Sequence, residues 1–339
     1  MDMRDVARLA GVSSATVSRV INGSNRVRPE TAERVQRVID ELKFFPNTNA
    51  AALKWGNSGT LGVIVPDITN PFFSEFIQHF EKVVVEQNLE MLMVTNQLDL
   101  THLQGAMRRM LVRRVKGVAL LGSEIETESV EALLLNRIPL VTSDRRTVGV
   151  GLSDVSNDYL PGMLEAVAYL KELGHKRIGF ISGSAHIKTT NYRTKAFVDA
   201  LRLNDLQLDP DCILEGDYRI PGGMAAMHRL LELKRRPTAV LSANDLTAIG
   251  ALRMAHQCGL EVPRDISIIG FDDTDFCEIL HPPLSSIQLS RKEYASTFCK
   301  ALIDAAREPE SQGQQYSVST RLVVRASSGA APKALPTKK

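Results

Sequence analysis

Apolar residues near the start of the chain recur at helical spacing twice, on either side of a glycine. Val6, Leu9 and Ala10 fall on one helical face, Gly11 interrupts, and Val17, Val20 and Ile21 form a second face. Gly11 can adopt the left-handed conformation that ends a helix, and the Ser13 hydroxyl can cap the next one. A third helix is expected over 29–43, with Pro29 in its first turn and Ala32, Val35, Ile39 and Leu42 closing a three-helix core. Phe45-Pro46-Asn47 breaks that pattern, 48–55 reads as a brief helix, and Gly56-Asn57-Ser58-Gly59 marks a boundary.

From Thr60 the texture changes to short apolar runs alternating with amphipathic stretches, the pattern of a parallel sheet with crossover helices. Strands are expected at 61–65, 91–95, 117–121, 139–143 and 149–152. After a helix ending at Gly174-His175, a second series follows at 177–181, 212–215, 239–242 and 266–271, with a last helix over 292–307 and strands near 316–324. Two successive series predict two similar lobes. Crossings near Asn157, Leu289 and Ser319 would make a three-strand hinge. The fold class is therefore α/β: a small helical domain (1–46), a hinge helix and linker (47–59), and a two-lobed core (60–326) of parallel sheets. One lobe takes about 60–157 and 290–318, the other about 158–288 and 319–326. The Ala/Pro/Lys-rich stretch 327–339 is expected to be a disordered tail, without the leucine heptads of a coiled coil.

Charge changes the picture only once the chain is divided. Of the net +2, residues 1–56 carry nine Lys or Arg against six Asp or Glu, so the excess sits on the small helical piece. Two short helices joined by a tight turn form the unit whose second helix fits the DNA major groove. That second helix exposes Ser14, Ala15, Thr16, Ser18, Arg19 and Asn22, small polar groups around one arginine. Cys212, Cys258, Cys277 and Cys299 show neither CxxC spacing nor a nearby histidine pair, which points to free thiols and no metal. No early apolar segment or membrane-spanning run is apparent, so a cytoplasmic protein is expected.

Polar residues recur where the core strands end. Asp67 and Asn70 precede Pro71-Phe72-Phe73; Asp144 and Arg145 follow 139–143; Asn244-Asp245 follow 239–242; and Asp272-Asp273 follow 266–271. Ligands of open α/β sheets bind at the carboxyl ends of strands, so facing lobes would aim these groups, with Arg193 and Tyr218, into one cleft. Phe72, Phe73 and Tyr218 offer flat faces for a sugar ring. Asp144 and Asp272 accept hydrogen bonds, Arg145 and Arg193 donate, and Asn244 does both. A carbohydrate suits that set; a purine or other non-sugar co-repressor is the alternative, since aromatic stacking would serve it too. The chain shows no Gly-rich phosphate loop, no GxSxG elbow and no metal-spaced ligand set, so an enzyme is not expected, and neither is a cofactor.

Over residues 2–326 the chain resembles the LacI/GalR family of transcriptional regulators. The likeness rests on DVARLAGVSSATVSRVING, NAAALKWG, LGVIVPDITNPFF, LGHKRIGFISG, SANDLTAIGAL, VPRDISIIGFDDT and RLVVRAS. The resemblance implies base contacts from Ser14, Ala15 and Arg19, and phosphate contacts from Thr16, Ser18 and Asn22. It also implies minor-groove insertion at the hinge by Leu53 and Ala50. In the cleft it implies effector contacts from Asn70, Phe72, Phe73, Asp144, Arg145, Arg193, Asn244 and Asp272, with Tyr218 at a usual aromatic position. Two positions depart from the family pattern: Leu289 stands where a glutamine is usual, with Gln288 one place earlier, and the order Asn157-Asp158 is reversed. A homodimer on a near-palindromic operator is expected, its two reading helices one DNA turn (~34 Å) apart. A hinge of about seven residues is far too short to be a stable helix alone, so it should fold against DNA.

Overall fold

The computed structural model describes residues 2–21, 24, 26–44, 59–96, 100–122 and 127–333. The chain divides into two compact units, Met1–Ser58 and Gly59–Lys339.

In the first unit, α1 (Met3–Ala10) opens with a reciprocal cap. Asp2 accepts from the N–H groups of Arg4 and Asp5, and the Asp5 carboxylate accepts from the Asp2 N–H. Gly11, at φ 65°, ends the helix. Ser13 Oγ accepts from the Thr16 N–H at 3.2 Å and so caps α2 (Ser14–Ile21), as the sequence suggests. The third helix, α3 (Pro29–Glu41), packs Val35 against Val6, Ala7, Ala10 and Val17. Arg34 Nε donates to the Ala10 carbonyl and ties α3 to the end of α1. Leu9, expected in this core, is instead 59% exposed, because Ala7 takes the inward position on α1. The expected helix 48–55 lies outside the described residues.

The second unit begins with β1 (Thr60–Val65), α4 (Pro71–Glu86), β2 (Glu90–Thr95), α5 (Leu100–Arg113), β3 (Val118–Leu120), α6 (Thr127–Leu135), β4 (Leu140–Ser143) and β5 (Leu152–Asp158). There follow α7 (Leu160–Glu172), β6 (Ile178–Ser182), α8 (Lys188–Leu203), β7 (Ile213–Glu215), α9 (Ile220–Glu232), β8 (Ala239–Ser242), α10 (Asp245–Gln257) and β9 (Ser267–Asp272). The short α11 (Phe276–Ile279), β10 (Ser285–Leu289), α12 (Arg291–Arg307) and β11 (Gln315–Val323) complete the unit. The strands run in the order β2-β1-β3-β4-β5-β11-β10-β9-β8-β6-β7. Among the described strands every pairing is parallel except that of β10 with β11.

Strand alternation distributes the core to both faces of each half-sheet. Leu61, Val63 and Val65 of β1 join Phe76, Phe80 and Phe298 under α4 and α12, while Ile64 joins Leu103, Met110 and Leu133 under α5 and α6. In the second lobe, α7 and α8 cover Phe180, Leu241 and Phe271, and α9 and α10 cover Ile181, Val240 and Ile268. The lobes meet at β11. Its first half, to Ser319, runs parallel with β5; from Thr320 it runs antiparallel with β10. The space under that switch is tight, since a Cβ on Gly162 of α7 would stand 2.4 Å from Ile287 and 2.9 Å from the Thr320 hydroxyl.

Two expectations need correction and a third is sharpened. The fifth strand runs 152–158 rather than 149–152; Gly149 and Val150 form only isolated bridges. The crossing expected near Leu289 is a full strand, β10, parallel with β9 and antiparallel with β11. The supposed disordered tail is packed along 327–333. Ser327 and Ser328 are buried, Ser327 Oγ donates to the Ile268 carbonyl and accepts from the Ser285 N–H, and Ala331 N–H donates to Leu173. His175 is buried beneath this segment, its Nδ1 2.8 Å from the Thr238 hydroxyl and its Nε2 2.9 Å from the Gly329 carbonyl.

Ser327→Ala should strand the Ile268 carbonyl and the Ser285 N–H inside the core and cost about 1–3 kcal/mol, read from the shift of the urea midpoint. Burial holds the His175 imidazole below its ordinary value of 6.5. The unfolded chain therefore takes up more protons than the folded one as pH falls through that value, and stability drops with it. His175→Gln should flatten this part of the curve of urea midpoint against pH.

Candidate functional site

In the first unit, Ser14, Ala15 and Arg19 are exposed on α2, and Thr16 and Ser18 are half-buried. Thr16 is engaged with Ser13 through both its N–H and its hydroxyl. Asn22, Ala50 and Leu53 lie outside the described residues.

In the second unit a cavity of about 740 Å³ lies between the lobes, lined by residues at the carboxyl ends of the strands. Asn70 follows β1 and caps α4 by accepting from the Phe72 N–H at 3.1 Å. The Phe72 and Phe73 rings beyond it meet edge to face, centroids 5.3 Å apart. Asp144 ends β4 with a carboxylate that accepts from the Asn157 N–H (2.9 Å), Asn157 Nδ2 (2.7 Å) and the Tyr159 hydroxyl (2.6 Å). Burial pushes the Asp144 carboxyl above its ordinary value against the pull of those donors.

On the opposite lobe, Arg193 of α8 is 8% exposed. Its guanidinium donates to Asp272 Oδ1 at 3.1 Å and to the Ala243 carbonyl, and its Cζ stands 4.2 Å from the centroid of the Phe271 ring. Burial raises Asp272, to about 7, while Arg193 pulls it back toward the charged form. Asn244 accepts from the Thr247 N–H at 2.9 Å to cap α10, and its Nδ2 donates to the Tyr218 carbonyl. The Tyr218 ring lies over Gly183, where a Cβ would come within 1.9 Å. Asp144, Tyr218 and Asp272 all have positive φ (53°, 62° and 106°), strain that three site residues share.

Of the residues expected in the cleft, three do not line the cavity: Asp245, Asp273 and Arg145. Asp245 is turned into the second lobe, where it accepts from Thr274 and the Ser286 hydroxyl, and Asp273 accepts from Gln288 and Arg325. The third is Arg145. Its N–H donates to Asp154 Oδ1, its Nη1 is buried without a partner, and it is not among the lining residues. The backbone bends at Asp144, φ 53°, and of the pair only Asp144 lines the cavity. Asn96, Asn157, Tyr159 and Tyr294 also line the cavity and were missed as site residues. Asn96 follows β2 directly, so the strand-end rule already pointed to it. On β10, Gln288 bonds Asp273 and Arg321 while Leu289 lines the cavity, as alternation along a strand requires.

The lobes touch across the cleft as well as through the hinge. Arg219 pairs with Asp67 at 3.0 Å, and Arg146 stands over the Tyr192 ring at 3.9 Å. Glu75 accepts from the Asp275 N–H at 3.1 Å and pairs with Arg291, which reaches the Asp272 carbonyl.

Residues 2–47 match the model of bacterial regulatory proteins of the lacI family, and residues 167–328 match a periplasmic binding protein-like domain. The HTH-type transcriptional repressor CytR of Escherichia coli (strain K12) is 35% identical, over 97% of this chain and 97% of that protein. The chain belongs to the LacI family. Among solved LacI-family structures, the lac repressor dimer bound to operator and the anti-inducer ONPF is 26% identical, with a TM-score of 0.85 over 97% of this chain and 99% of that one. The transcriptional regulator CelR in complex with cellobiose is 28% identical, with a TM-score of 0.73 over 96% and 99% of the two chains. LacI-family proteins are DNA-binding repressors with ligand-binding cores, the two parts seen in this chain.

Asp272→Ala should leave the Arg193 charge buried and uncompensated and lower the stability of the core by about 3–5 kcal/mol in urea denaturation. A loss below about 1 kcal/mol would show that the pair does not hold the two strand ends.

Proposed function

We propose that this chain is a cytoplasmic, dimeric transcriptional repressor whose operator affinity is set by a small ligand, foremost a carbohydrate, in the cleft. The observation that carries this reading is the presence in one chain of an exposed reading helix and a two-lobed cavity lined at its strand ends. Ser14, Ala15 and Arg19 would contact bases, with Arg19 suited to a bidentate guanine contact and Ala15 offering only a methyl group. Thr16, Ser18 and Asn22 would hold phosphates, and Leu53 and Ala50 would enter the minor groove at the operator centre. The relatives support a dimer and a sugar: one is a dimer on its operator, another is complexed with cellobiose. Binding rather than catalysis follows from membership of a repressor family. No helix among the described residues is long and apolar enough to cross a membrane, which accords with the cytoplasmic reading.

The cleft would act on DNA through lobe closure. A ligand that changes how the lobes close also changes how the two hinges of a dimer align, a coupling of ~1–3 kcal/mol that must run in both directions. Fluorescence anisotropy on a selected operator tests both halves. Arg19→Ala should lose about 1–3 kcal/mol of preference for operator over scrambled DNA while ligand binding is kept. Arg193→Ala should keep operator binding and lose the response to ligand. A normal response in that variant would move the ligand site elsewhere.

A further inference from the structure

The outer side of α5 carries cations that nothing in the fold neutralises. Leu103, Ala106, Met107 and Met110 turn in to the core, which leaves Arg108, Arg109 and Arg113 exposed, with Lys116 half-buried just beyond the helix. No aspartate or glutamate occurs from 100 to 123. Several exposed cations on other helices have a carboxylate three or four residues away: Arg8 has Asp5, Lys195 and Arg202 share Asp199, and Arg307 has Asp304. None of Arg108, Arg109, Arg113 and Lys116 forms an ion pair among the described residues. Arg109 and Arg113 stand four apart, where like charges repel and weaken a helix. The helix dipole favours a cation in the last turn, which accounts for Arg113 but not for Arg108 or Arg109. Such a face is stabilised when an anion comes to it.

Its place in the fold says which anion. α5 leads into β3, which lies parallel to β1, so its last turn arrives at the end of the unit where β1 starts. The Lys116 N–H donates to the Thr60 carbonyl at 2.8 Å, and Gly59 precedes it as the first residue of this unit. The first unit is described up to Phe44, so 14 residues, 45–58, join it to Gly59 over at most about 50 Å. A duplex held by the reading helix is within that reach. Glu90, at the start of β2, sets one carboxylate against the four cations. We infer that the outer face of α5, with Lys116, is a second DNA-contacting surface that takes phosphates of the bound duplex without reading its bases. This rests on the DNA-binding reading above and extends it from the first unit to the second.

The test is fluorescence anisotropy of the full-length protein on two duplexes of about 60 base pairs, at about 50 to 300 mM NaCl. One carries an operator selected from a random library, the other a scrambled sequence. Replacing the three arginines together (Arg108→Gln, Arg109→Gln, Arg113→Gln) should weaken binding to both duplexes by about tenfold or more at the lowest salt. The slope of log affinity against log salt should shrink by about 2 or more, with the preference for operator unchanged. The matching lysine substitutions keep the charge and should bind within about threefold of the unaltered protein. A loss in the lysine variant as large as in the glutamine variant would trace the effect to the helix rather than its charge and overturn the inference. Equal affinity and slope in the glutamine variant also overturn it, and leave the face to an acidic protein partner. If the unaltered protein binds neither duplex, the DNA-binding reading itself falls, a different outcome from a variant that binds as well as its parent.

Discussion

A guanidinium buried against aromatic rings must be paired, and the ligand half of this molecule is arranged around that requirement. Arg193 meets it with a carboxylate at the end of β9 and a carbonyl just past the end of β8, while Phe271 lies against its flat face. Three elements far apart in sequence are thereby fixed at one point. The backbone at Asp272 is held at φ 106° to complete the pair, a conformation that costs energy elsewhere and survives here because its partners over-determine it. The floor of the cavity is therefore set before any ligand arrives.

The polar residues at the strand ends have two duties. Asn70 and Asn244 cap helices with their side-chain oxygens and still line the cleft; Asp144 anchors the crossing strand through Asn157 and Tyr159 and lines it as well. Capping and ligand binding are thus not alternatives at these positions. At α4 and α10 the loop that starts a helix at a strand end places a hydrogen-bonding side chain there, and the cleft inherits it. This is why the sequence makes Asn70, Asp144, Asn244 and Asp272 readable as one site.

What the sequence conceals lies mostly at the hinge. The apolar runs of β1, β4, β6, β8 and β9 announce themselves, because both faces of those strands are covered by helices. The crossing strands read LSDVSND, SSIQL and QYSVSTRLV. Their polar side chains bond across the join, Ser153 Oγ accepting from the Gln314 N–H and Gln315 Nε2 donating to Asp154, so hydrophobic patterning misplaces β5 and leaves β10 without bounds. Asn157 and Tyr159, at the true end of β5, were lost with it. The segment 327–333 was hidden for a related reason: its serines are held by hydrogen bonds to β9 and the start of β10, which composition does not show.

That polar hinge has a consequence for how the protein is made. β11 pairs with β5 across some 160 residues of intervening chain. At a synthesis rate of about 5–20 residues per second, β5 waits roughly 8–32 s on the ribosome for its neighbour. A long apolar edge exposed for that time would invite pairing with another nascent chain. The serines, aspartates and asparagine of β5 stay hydrated while they wait, so the strand that takes longest to find its partner is also among the least adhesive.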